Sequence, residues 1–293
     1  MAVLTGSSTA ALFNTAGLSV AKYGLDILLD LPNLSVFMGQ GQPSSLMKAY
    51  SVANGYTLHA PVMSGRSATA RTAGTDDNNT ITFSALSGTA VTFTPNFSYD
   101  AWAIDYQTMN KMTTQELAAS LIAAREQSTL ALKNVVDAAM LGLYSSATYD
   151  VGGAGADVTI GMLAEAKRRL EVANAPKPYY CVLPATQDDV LSQMDELNRV
   201  DIRGDNGTIL NGDKYRWHGI DIYVTGNCPT ASSITHGLMF SAQALKAVFR
   251  DLPTIKAWDQ ENQFSYQMAV YMDWAYAVSF ADWIVDINVQ EVS

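Results

Sequence analysis

A chain of 293 residues that is 48% hydrophobic can bury a sizeable core and is not intrinsically disordered. Its 18 basic and 28 acidic side chains leave a net charge of −10, which argues against a general nucleic-acid binder, since such proteins lead with a basic surface. Charged residues are only 16% of the chain, while Tyr (14), Met (12) and Trp (5) are frequent. That pattern fits either a charge-poor monomer or a protein whose outside is largely interface.

The first 48 residues contain four charges, Lys22, Asp26, Asp30 and Lys48. Leu18 to Leu31 can form a short amphipathic helix ended by Pro32, and the rest reads as an extended arm suited to lie along another surface. No basic residue precedes Lys22, so the start is not that of a secretory signal. No uncharged apolar run is long enough to span a bilayer. Cys181 and Cys228 form no CxxC pair and read as free buried thiols of a reducing compartment. The sequons at Asn33, Asn78, Asn96 and Asn206 then count as chance matches, and use in a cytoplasm is expected.

Residues 49–110 read as a long β-excursion. Tyr56–Val62, Thr80–Ala85 and Thr89–Thr94 alternate, and Ser87-Gly88 fits a tight hairpin turn. Between the first two lies a polar tip carrying Arg66, Arg71, Asp76 and Asp77. A two-stranded excursion is marginal alone and needs something to lie against. Trp102 and Tyr106 stand where it rejoins the body.

A helix follows. Thr113-Thr-Gln-Glu116 is a capping box, and no Pro interrupts the run to Ser145, nor any Gly before Gly142. Leu117, Leu121, Ala124, Leu132, Val135 and Val136 provide its apolar stripe. At about 45 Å it is a spine rather than a helix tucked into a compact core.

Residues 150–258 alternate helix and strand. A Gly-rich linker, Val151 to Ala156, precedes a helix at Thr159 to Ala173. A strand at Tyr179 to Leu183 and a helix at Thr186 to Asn198 follow. The polar loop Asp201 to Asp213 leads to an alternating strand from Tyr215 to Val224, then to strands at Gly237–Phe240 and Ala247–Trp258. The last 35 residues alternate again over Phe264–Met272 and Val278–Val289. They hold six acids and no base, so most of the net charge resides there.

No catalytic pattern emerges. His59, His218 and His236 lie in three different segments, where packing or surface roles fit best. HExxH, GxSxG and GxxxxGK[ST] are absent. Gly152-Gly153-Ala154-Gly155 lacks the lysine and the spacing of a phosphate cradle. Asp188-Asp189 and Asp195-Glu196 fit dipole compensation and a solvated helix face. Lys167-Arg168-Arg169 is a short basic run within an amphipathic helix, a rim or ion-pair feature. Neither an enzyme activity nor a cofactor or metal is expected.

The order of segments is more specific than any motif. Arm, β-excursion, spine helix, α/β domain and returning strands together resemble the major capsid protein of tailed bacteriophages, the Hong-Kong-97-type shell fold. Locally, Thr159-Ile-Gly-Met-Leu-Ala-Glu-Ala-Lys-Arg-Arg-Leu-Glu-Val-Ala-Asn-Ala-Pro176 is similar to that family's helix ending before a proline. The strand Tyr179 to Leu183, closed by Pro184, follows it as in the family. Gly219-Ile-Asp-Ile-Tyr-Val-Thr-Gly-Asn-Cys-Pro229 is similar to its strand and turn.

The resemblance implies an α+β fold in four parts: an N-terminal arm (1–48), an extended β loop (49–110), a peripheral domain (111–149 and 259–293) and an axial domain (150–258). It implies a structural protein that self-assembles as hexamers and pentamers into an icosahedral capsid around double-stranded DNA. Portal protein and a scaffold or decoration protein are the implied partners, DNA is enclosed without sequence-specific binding, and no membrane is involved. The virion, assembled in the host cytoplasm, is the implied location.

Some relatives weld the shell through a lysine in the extended loop. Residues 49–110 contain none, so a non-covalent shell is expected. The chain begins at the arm, which implies a separate scaffold protein or none. Arg66 and Arg71 against Asp76 and Asp77 are candidates for charge pairing with a neighbouring subunit. Trp102 and Tyr106 are candidates for aromatic anchors or core packing. An encapsulin-like nanocompartment is the nearest alternative; a small α/β enzyme and a receptor-binding tail protein are further ones.

Overall fold

The computed structural model describes Phe37 and residues 58–63, 88–93, 96–198, 215–260 and 264–290. Strand β1 (Leu58–Met63) pairs antiparallel with β2 (Gly88–Phe93), Leu58 lying opposite Phe93 and Met63 opposite Gly88. Gly88 is therefore a paired strand residue, not the hairpin turn that the Ser87-Gly88 dipeptide suggests. The alternating segment Thr80–Ala85 lies outside the described residues.

Strand β3 (Asn96–Asp105) leads into a short helix α1 (Tyr106–Lys111), which Asp105 caps by accepting the Thr108 N–H at 2.7 Å. The spine follows as α2 (Thr114–Leu141), 28 residues and about 42 Å long. Its capping box is formed as the sequence implies: Thr113 Oγ1 accepts the Glu116 N–H at 3.3 Å, and Glu116 Oε2 accepts the Thr113 N–H at 2.8 Å. At the first glycine the α-helix gives way to a 3-10 turn, Gly142–Ser146.

The buried side of α2 presents Leu117, Leu121, Leu132, Val136, Met140 and Leu141. Val135, which the stripe included, is exposed instead, because the step of about 100° from Val136 carries it to the edge of the buried side.

Under α2 lies a three-stranded antiparallel sheet in the order β10 (Leu245–Gln260), β11 (Ser265–Val278), β3. Alternate β11 residues Tyr266, Met268, Val270, Met272 and Trp274 point into the same core as the helix. Phe37, the described residue of the arm, is buried there and stacks on Phe240 at 5.8 Å between ring centroids.

The second layer is a seven-stranded mixed sheet. Its order is β4 (Tyr149–Gly152), β12 (Ile284–Gln290), β9 (Ile234–Ser241), β5 (Tyr179–Pro184), β7 (Ile220–Thr225), β6 (Tyr215–Trp217), with β8 (Thr230–Ala231) also on β9. Helix α3 (Ile160–Val172), capped by Thr159, buries Leu163, Ala166 and Leu170 against Val285, Ile287 and Val289. Chain order and sheet membership do not coincide. The 16-residue β10 runs past residue 258 and pairs with β11, while β12 lies inside the sheet of residues 150–258.

Three sequence expectations change form. The helix expected from Thr186 to Asn198 is a 3-10 turn, then α4 (Asp188–Gln193) and α5 (Asp195–Asn198), broken at Met194, which is extended with ψ 114°. The strand expected from Tyr215 to Val224 is a hairpin: His218 (φ 44°) and Gly219 (φ 81°) form a two-residue turn between β6 and β7. The alternation from Val278 to Val289 is interrupted by a 3-10 turn at Ala281–Trp283.

Candidate assembly surfaces

The three histidines stay apart. His59 belongs to β1, opposite Thr92. His218 sits in the β6–β7 turn with its ring edge-on to Trp217 at 4.7 Å. His236 lies on β9, with Nδ1 2.8 Å from Asp286 Oδ2. Among the described residues no group of three or more His, Cys, Asp or Glu is placed to hold a metal ion. Cys181 and Cys228 are both free thiols. Burial pushes the Cys181 thiol far up and that of Cys228 up to about 12.

The basic run on α3 is consumed locally. Glu165 accepts from Arg168 Nη2 at 2.6 Å and from Arg169 Nε at 2.8 Å, and its carboxyl is held down to about 2, chiefly by the Arg168 hydrogen bond. Lys167 lies over the Trp217 ring at 5.7 Å. Asp188 accepts the Tyr215 hydroxyl at 2.9 Å. These charges brace the outside of the second core.

The side of the three-stranded sheet away from α2 is different. Because side chains alternate across a strand, the register puts Phe97, Tyr99, Ala101 and Ala103 of β3 on that side. With them stand Gln267, Ala269 and Tyr271 of β11 and Thr254, Lys256 and Trp258 of β10. Phe97 is 57% exposed, Tyr99 66% and Trp258 41%. Phe97 stacks on Tyr271 at 5.2 Å, and Lys256 Nζ lies 5.5 Å from the Tyr271 ring centroid. At the far end of the same side Phe93 closes the surface over Val248 and Ala275. What remains open is aromatic and carries little charge, the composition of a partner-facing patch.

Helix α2 also carries exposed large apolar residues, Ile122, Leu130 and Val135, of which Ile122 and Leu130 share the outer side while Val135 lies at the opposite flank of the buried stripe. Exposed Ala119, Ala123 and Ala138 would let another backbone approach closely.

Of the residues singled out in the sequence, Arg66, Arg71, Asp76 and Asp77 lie outside the described residues. Trp102 and Tyr106 stand on the core-facing side and pack against the cluster beneath α2. The Tyr106 hydroxyl donates to Asp259 Oδ1 at 3.1 Å, whereas Trp102 Nε1 is buried with no hydrogen-bond partner among the described residues. The open aromatics Phe97, Tyr99, Tyr271 and Trp258 were missed. Alternation was visible around them, but the side each strand turns outward was not.

No family model matches the chain, and no curated protein sequence does either. Solved structures do. A structure from Mycobacterium phage Che8 is 18% identical, with a TM-score of 0.62 over 80% of this chain and 85% of that one. The capsid structure of cyanophage P-SCSP1u is 16% identical, with a TM-score of 0.58 over 85% and 88%. The virus-like particle from Pyrococcus furiosus is 12% identical, with a TM-score of 0.54 over 91% and 98%. The chain therefore has the tailed-phage capsid fold that its sequence resembles, a mixed arrangement of helices and sheets.

Proposed function

We propose that the chain is the structural subunit of a phage shell, self-assembling as hexamers and pentamers into an icosahedral capsid around double-stranded DNA. The observation that carries this reading is the open aromatic side of the β10–β11–β3 sheet, which a monomer would leave in water at a cost. The likeness to capsid structures over most of the chain supports it. So does the acidity, since a shell of like sign does not hold packaged DNA to its wall.

In this reading the protein performs no catalysis and needs no cofactor. Its partners are copies of itself, a portal protein and a separate scaffold or decoration protein. It belongs to the virion and assembles in the host cytoplasm. No described helix is long and apolar enough to cross a membrane. With no lysine in residues 49–110, the shell is held together without covalent links, and a denaturing gel of particles should show single chains rather than ladders.

Negative-stain electron microscopy of the expressed chain tests the reading. Closed particles tens of nanometres wide are the expected result, and dispersed monomers at all concentrations and with phage lysate added would overturn it. The likeness to a virus-like particle favours a second reading, an encapsulin-like compartment. Protein cargo in place of nucleic acid inside native particles would decide for it.

A further inference from the structure

His236 and Asp286 join three parts of the fold at one point. His236 is on β9 and its backbone N–H bonds the Pro229 carbonyl at 2.9 Å. Asp286 is on β12, on the same side of the sheet, with its Oδ2 2.8 Å from His236 Nδ1. The imidazole lies flat against Tyr144, centroids 3.9 Å apart and planes within 17°. Tyr144 belongs to the 3-10 turn that continues α2. The end of the spine thus rests on the imidazole, and a carboxylate of the seven-stranded sheet holds the imidazole in place. Side-chain exposure is only 12% for His236 and 10% for Asp286.

The pair is one proton short of neutral when the imidazole is uncharged and the carboxylate ionised. That state carries a buried negative charge, and Asp286 Oδ1 has no hydrogen-bond partner among the described residues. Asp150, opposite Asp286 on β4, adds a second negative charge nearby. On the same side of the sheet stands Asn288 of β12, neutral and paired in register with His236. Further off, Asp137 of α2 acts on Cys228. One added proton removes the buried charge, whichever of the two groups carries it.

We propose that the His236–Asp286 pair is a proton-operated latch, in which uptake of one proton tightens the junction between the end of α2 and the seven-stranded sheet and its loss loosens it. Burial raises the Asp286 carboxyl above its ordinary value, a shift reinforced by Asp150 and opposed by the His236 hydrogen bond. A group whose pKa is raised by folding stabilises the fold at low pH and surrenders that contribution as pH rises through its folded value. Acidification therefore closes the latch. The inference stands on these contacts alone and does not depend on assembly.

Hydrogen exchange of the full chain tests it, followed at the amides of residues 142–146, β9 and β12 and corrected for intrinsic rates. Measurements at about pH 4.5 and about pH 8 span the interval above the ordinary carboxylate value in which a raised Asp286 carboxyl gives up its proton. Wild-type protection should be severalfold higher at the lower pH, and Asp286→Asn should show equal protection at both. Equal wild-type protection, or an unchanged pH response in Asp286→Asn, would overturn the proposal. Should that variant not fold, the wild-type Asp286 carboxyl carbon decides by NMR: a shift that moves across this interval supports the latch, and a constant shift refutes it.

Discussion

Ser128 Oγ, at the middle of α2, donates a 2.7 Å hydrogen bond to Asp100 Oδ2 on the core-facing side of β3. It is a polar tie between helix and strand, with Ser128 fully buried, and it fixes how the helix lies along the strand. A hydrogen bond to an ionised group is worth about 1.5–3 kcal/mol. Ser128→Ala should therefore lower unfolding stability by about 2 kcal/mol in urea titrations, because the carboxylate loses a donor without being moved into water. A loss below about 0.5 kcal/mol, the scatter of ordinary surface changes, would show that the tie contributes nothing.

Ser232 (φ 55°) and Ser233 (φ 64°) form the turn between β8 and β9. Both occupy left-handed backbone, which β-hairpin turns of this kind usually reserve for an asparagine followed by a glycine. The paired substitutions Ser232→Asn and Ser233→Gly should stabilise the chain by about 1 kcal/mol, measured as a raised melting temperature. A lowered one would mean that the hydroxyls hold the turn in a way that backbone conformation does not explain.

Phe97 and Tyr99 carry the test of the open sheet side. Changing both to Ser removes surface that mostly faces water together with the Phe97–Tyr271 stack, so the isolated chain should lose only about 1–2 kcal/mol and stay folded. Particle yield, read by sedimentation, should fall sharply. Normal yield from the folded variant would move the assembly surface elsewhere, the outer side of α2 being the next choice.

The thiols offer a chemical check on both cores, since Cys181 lies in the second and Cys228 packs against the first. Thiolate is the reactive form, and burial disfavours it. Cys181 is fully buried and the Cys228 thiol is pushed up to about 12. At pH 8 neither should react with Ellman's reagent within minutes in the native chain, and both should react at once in guanidinium. Rapid labelling of Cys181 in the folded state would contradict the β5 packing.

Much of the fold was legible because it is written locally. Thr113 and Glu116 start α2 through a box that needs four consecutive residues, Gly142 stops its α-helical run, and Thr159 opens α3. The hairpin at His218-Gly219 shifts the phase of the pattern, since Trp217 and Ile220 are paired and both buried three positions apart, and reading one continuous strand overlooks that one-residue slip. Met194 is a similar case, since nothing in its neighbours marks the break between α4 and α5.

The surface was less legible than the fold. Trp102 and Phe97 lie on the same strand, five positions apart, and face opposite sides of it. A shift of one residue exchanges the two sides, and both sides of β3 carry aromatics. Sequence periodicity therefore located the strand without saying which aromatics were open. The His236–Asp286 pair, separated by 50 positions, left no sequence signal at all.

By itself the sequence determined where α2 and α3 begin, the run of strands and helices around them, the acidity gathered in the last 35 residues and the shortage of charge elsewhere, since capping, periodicity and composition act over a few residues. Only the tertiary structure decided that β12 enters the larger sheet, that β10 pairs with β11, which side of β3 is left open and that a histidine and a carboxylate meet beneath Tyr144. Those are choices among long-range pairings. Each is settled by the surface that many distant residues bury together, so no local stretch of chain records the outcome.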